Sequence, residues 1–137
     1  MHMSMSIKRF SAAFLALVAA VVGFWAGFFP LSFHEHFPIP GWGWVANLGP
    51  YNEHLVRDYG LSNLALLVFT VWAFRKPTEE SLRVLGGGWL VYSSFHFLWH
   101  MFHLAAFPTW SRIGAVLSLA LIVVFSILPM IPEKRHS

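Results

Sequence analysis

The sequence predicts an all-α, polytopic membrane protein: one domain of four transmembrane helices, with a long aromatic outer loop between the first and second. Three observations carry this. Charged residues make up 11% of the chain and hydrophobic residues 57%, whereas a soluble domain carries about 25% charged residues. The charges sit at the ends of long apolar runs. The 137 residues hold four spans of about 20 residues with short connections and one longer loop.

The first segment, 10–29 (FSAAFLALVAAVVGFWAGFF), has no charge and follows Lys8 and Arg9. A basic start before an apolar run also describes a cleaved signal peptide. An uncleaved span is the preferred reading, because the run exceeds a signal core and Pro30 ends it without a small-x-small site. Methionines at positions 1, 3 and 5 leave the initiating residue open. Residues 30–52 hold four of the eight prolines plus Gly41, Gly43 and Gly49, so no regular helix is expected there. Phe33, Phe37, Trp42 and Trp44 are out of place in a freely solvated loop and predict a cap folded over one end of the helices at the membrane interface. Trp42, Trp44, Trp99 and Trp110 read as interface anchors.

The second segment, 53–74, begins with the polar turns EHLVRDYGLSN and continues as LALLVFTVWAF. Glu53 suits the start of a helix. The link RKPTEESLR supplies capping residues before the third segment, 82–107. There Gly86-Gly87-Gly88 either loosens the helix or lets a neighbour approach closely. Pro108 separates it from the fourth segment, 109–130. No internal repeat or low-complexity stretch interrupts this layout.

Lys and Arg in short loops set orientation. Lys8-Arg9, Arg75-Lys76-Arg83 and Lys134-Arg135 predict a multi-pass protein of the cell membrane with both termini cytoplasmic. The aromatic loop and the turn near Pro108 then face outward. Arg57 and Arg112 are exceptions near helix ends, where they can snorkel. The few basic residues form no stripe, so the partner is the lipid bilayer, with other membrane subunits or a homo-oligomer as further candidates, and not nucleic acid. Absence of cysteine excludes thiolate metal sites and disulfides within this chain.

Eight histidines are the unusual count. His96, His100 and His103 form an H-x-x-x-H-x-x-H pattern that spans about 60° of helical arc. In a bilayer such a stripe must face a protein interior or a cavity. His54 and Asp58 share a face of the second segment. From a rise of about 1.5 Å per residue, Asp58 matches His100 in depth and His54 matches His103. If those faces meet, His54, Asp58, His96, His100 and His103 form one pocket near the outer face, with His34, Glu35 and His36 as weaker candidates folding over it. Imidazole and carboxylate suit zinc, iron or copper without thiolates, and imidazole also ligates haem. The plainer alternatives are hydrogen bonds to backbone, water or headgroups, and an ion pair of Asp58 with Arg57 or Arg112.

The layout and the stretches NEHLVRDYGLSNLAL (52–66) and SFHFLWHMFHL (94–104) resemble small bacterial four-helix membrane proteins of the DoxX-like group. The resemblance implies a four-helix bundle. Some members of that group are linked to quinone-dependent oxidoreductases, but no catalytic residue carries across. The leading functional expectation is a histidine-rich pocket binding a transition metal or haem, for redox chemistry or metal handling. The rivals are a non-enzymatic accessory subunit and an enzyme acting on a lipid-soluble substrate with His and Asp58 as acid–base groups. No serine-hydrolase elbow, Walker loop or dinucleotide fingerprint is present.

Overall fold

The computed structural model describes residues 1–133; Lys134, Arg135 and His136 lie outside the described residues. Among those described the chain is all-helical, with five α-helices and three short 3₁₀ turns. Helix α1, Met5–Phe28, starts at Ser4, whose Oγ accepts the Ile7 N–H at 3.4 Å. Helix α2, Pro30–His36, corrects the expectation that no helix enters the loop. Pro30 occupies its first turn, where a missing N–H costs nothing, and the next proline is Pro38. Beyond it the chain turns at Gly41 and Gly43, both with positive φ.

Helix α3, Glu53–Arg75, is capped by the Asn52 side chain, which accepts the Leu55 N–H at 3.1 Å. Helix α4, Glu79–Met101, begins with a reciprocal Thr78–Ser81 capping box. It ends at Met101, well before the expected position 107. Helix α5, Thr109–Ile127, runs on into a 3₁₀ turn, Leu128–Met130.

The four long helices run antiparallel, and the tightest pairs are α1 with α3 and α4 with α5. Small residues make both contacts close. A Cβ at Gly60 would run into the Gly27 backbone nitrogen, and a Cβ at Gly86 would lie 2.6 Å from the Ser126 carbonyl oxygen. This settles the glycine triplet: α4 passes through it unbroken, and Gly86 admits α5. Arg57 clamps the first pair, donating to the Gly27 carbonyl at 2.9 Å and to Glu53 at 2.7 Å. Between the two pairs, Trp89 Nε1–H on α4 donates to Thr70 Oγ1 on α3 at 3.0 Å.

At one end of the array the first and last described residues come together. Met3 N–H donates to the Pro132 carbonyl at 2.9 Å, and Glu133 N–H donates to Glu79 at 2.8 Å. The other end is covered by residues 30–52. Trp44 Nε1–H donates to Ser111 Oγ on α5 at 3.1 Å, and Gly114 leaves room for the Trp44 ring. Trp42 packs edge-on against Trp110 at 4.7 Å.

Two of the helices, α1 and the stretch Thr109–Met130, are long and apolar enough to cross a membrane. Exposed positions include Leu17, Phe24, Val68, Phe69, Val91, Phe95, Leu117 and Val124, while Lys8, Ser11, Asn63, Thr70, Ser93 and Ser126 are buried.

Candidate functional site

Helix α3 turns Val56, Tyr59 and Asn63 inward. His54 and Asp58 therefore fall on its outer face. They pair with each other at 3.3 Å and are 81% and 57% exposed. Arg57 is engaged by Glu53 and the end of α1, and Arg112 Nε–H donates to the Phe107 carbonyl at 2.9 Å. Neither forms the anticipated ion pair with Asp58.

On α4, His96 and His100 share a face, with ring centroids 4.6 Å apart. His103 does not continue the stripe, because the helix has already ended. Its ring stacks on Trp99 at 3.8 Å, and its Nδ1 lies 2.6 Å from the Trp99 carbonyl oxygen, an acceptor that fixes Nδ1 as the protonated nitrogen. In the cap, Glu35 and His36 form an exposed pair at 3.8 Å. His34 is buried beside Tyr51, with ring centroids 5.3 Å apart. Among the described residues, no three His, Cys, Asp or Glu side chains gather as a metal-holding group.

Between the helices lies a partly open cavity of about 790 Å³, within the range of about 300–1,000 Å³ usual for small-molecule sites. Its roof is the aromatic cap, with Phe37, Trp42 and Trp44, and its floor is Trp89 with Phe14. The α1 and α5 walls are largely apolar and include Val18, Val22, Ala115 and Leu119. The α3 and α4 walls carry Tyr59, Asn63, Tyr92, Ser93, His96 and His100. Among the described residues that line it there is no Lys, Arg, Asp or Glu.

The polar wall is partly self-satisfied. The Tyr59 and Tyr92 hydroxyls are 2.6 Å apart and join α3 to α4. Asn63 Nδ2–H donates to the Tyr59 carbonyl at 2.9 Å, and Ser93 meets Ser126 at 3.1 Å. The Tyr92 ring stacks on His96 at 5.2 Å, and His100 stacks on Phe107 at 6.0 Å. His100 is 8% exposed, and its Nδ1 has no hydrogen-bond partner among the described residues. An arrangement of free imidazoles and a phenol pair in an apolar chamber can hold a polar group of an otherwise hydrophobic molecule.

Of the five residues first grouped as a pocket, the structure thus brings two, His96 and His100, into the chamber. The tyrosines were missed. Their signal was present: Tyr92, His96 and His100 recur every fourth residue, which places them on one helical face. No family model matches the chain, and no curated protein or solved structure matches it.

Proposed function

We propose that this is a multi-pass membrane protein whose central cavity binds a membrane-soluble, largely apolar ligand. All four long helices cross the bilayer in this reading, with the capped end outward and both termini cytoplasmic. The observation that carries it is the chamber itself: apolar on two sides, polar on the third, and closed at one end by aromatic rings.

The low hydropathy of α3 and α4 has a structural origin that supports four crossings. Their polar residues Tyr59, Asn63, Ser93 and His100 point into the protein, while Leu61, Val68, Phe69, Val91, Phe95 and Leu98 are exposed. An apolar belt of this extent around a chain is costly in water and favourable in lipid. His54 and Asp58 occur in the first turns of α3, at the depth where an exposed polar pair meets headgroups.

The test is labelling by a diazirine-bearing alkane in lipid nanodiscs. The reading expects saturable cross-linking to the cavity walls, including Ala115 and Leu119, and its loss in Ala115→Trp, which fills the chamber. Ala115 is 2% exposed, so thermal melting of the variant accompanies the assay, and Leu119→Trp provides a second blockade. Labelling confined to exposed residues, without saturation, contradicts the reading.

A further inference from the structure

Resting on the cavity as a ligand site, we infer that its ligand is an uncharged lipid with one oxygen-bearing end, a carbonyl or a hydroxyl. That end seats against Tyr59, Tyr92, His96 and His100, and the molecule enters sideways between α1 and α5.

The charge of the ligand follows from the lining. Among the described residues no cationic or anionic side chain faces the chamber. A carboxylate, phosphate or ammonium brought there would lose its hydration without a counter-charge, a cost that no neutral partner offsets. The oxygen end follows from hydrogen-bond accounting. Within the tyrosine pair one hydroxyl donates to the other, and the Asn63 side chain lies against the Tyr59 hydroxyl, so the free groups of the cluster are its imidazoles. Neither His96 nor His100 makes a hydrogen bond to a described residue. A neutral imidazole carries one donor and one acceptor. The cluster therefore presents unpaired donors to an acceptor oxygen and unpaired acceptors to a hydroxyl. A pure hydrocarbon would leave all of these unsatisfied, which is unfavourable in a buried site.

The route follows from how α1 and α5 meet. Near the terminal end they are joined by Phe14 and Phe125, with ring centroids 4.4 Å apart. Further along, the cavity-lining residues Leu17 and Val21 on α1 and Leu121 on α5 are themselves exposed. The gap between these two apolar helices opens onto the lipid-facing side, whereas the α1–α3 and α4–α5 seams are closed by Gly60 and Gly86.

Equilibrium binding of radiolabelled hexadecane, hexadecanol, methyl palmitate and palmitate to the full chain in micelles tests this. The expected result is that hexadecanol and methyl palmitate bind about tenfold more tightly than hexadecane, with palmitate weakest. Tyr92→Phe combined with His96→Phe should erase that preference while hexadecane still binds, which also reports that the variant is folded. Equal binding of hexadecane and hexadecanol by the native chain would overturn the oxygen-end proposal and leave the cavity reading standing. Tightest binding by palmitate would overturn the claim that the ligand is uncharged. Binding of none of the four would overturn both. For the route, Val21→Trp should slow association of hexadecanol; an unchanged association rate refutes lateral entry.

Discussion

The contact between α1 and α3 makes a sharp prediction, because backbone meets backbone there. In Gly60→Ala the new methyl would run into the Gly27 nitrogen and lie 2.6 Å from the Ala26 carbonyl carbon and the Gly27 Cα. No rotamer relieves a methyl, and no flexible side chain stands in the way to yield. The helices must part by about 1 Å, which forfeits a quarter to a half of each dispersion contact along the seam. Overpacking of this kind costs about 1–3 kcal/mol, and the upper end applies because the obstacle is main chain. The higher helix propensity of alanine returns at most about 1 kcal/mol, leaving a net loss of about 2 kcal/mol. Gly27→Ala is the internal control: its methyl would meet Leu61 at 3.5 Å, an ordinary contact. Unfolding by sodium dodecyl sulfate in mixed micelles, followed by tryptophan fluorescence, should show Gly60→Ala markedly destabilised and Gly27→Ala close to native. Equal stability of Gly60→Ala and the native chain would refute the seam.

Other outcomes follow from single contacts. Trp44→Phe removes the bond to buried Ser111 and should cost about 1 kcal/mol, seen as faster chymotryptic cleavage within residues 37–48. Arg57→Ala loses the clamp on the Gly27 carbonyl and on Glu53; Arg57 is 40% exposed, so solvent screening limits the loss to about 1 kcal/mol by the same unfolding assay. Chelation by ethylenediaminetetraacetate should leave the melting temperature unchanged if the cavity serves an apolar ligand, since no three metal-ligating side chains converge among the described residues; a clear fall on chelation would favour the metal site expected from the sequence instead.

The long helices were readable in the sequence because apolar runs ended by prolines and charges mark them directly. Glu53 and Thr109 begin helices where the pattern placed them. Pro30 misled, since a proline is a breaker inside a helix and a neutral residue in its first turn. The histidine pocket was only partly legible. Spacing shows which residues share a face, but not which way that face turns. The rotation of α3 is set by Gly60 against Gly27 and by Arg57 reaching the end of α1, and this sends His54 and Asp58 outward. The stripe on α4 was extended to His103 by assuming an unbroken helix, whereas the turn after Met101 stacks that ring on Trp99. The roof was legible in kind, as an aromatic cap, but its anchor on Ser111 depends on a contact between distant parts of the chain.

The proposed reading, a chamber open to lipid, requires all four long helices to cross the bilayer, and cysteine accessibility tests this most directly. The chain has no cysteine, so each introduced one reports alone. With a membrane-impermeant maleimide on intact cells, Asn47→Cys and Thr109→Cys should be labelled, while His2→Cys and Glu80→Cys should react after permeabilisation. Labelling of Glu80→Cys from the same side as Asn47→Cys would mean that α3 does not cross, and would contradict the account.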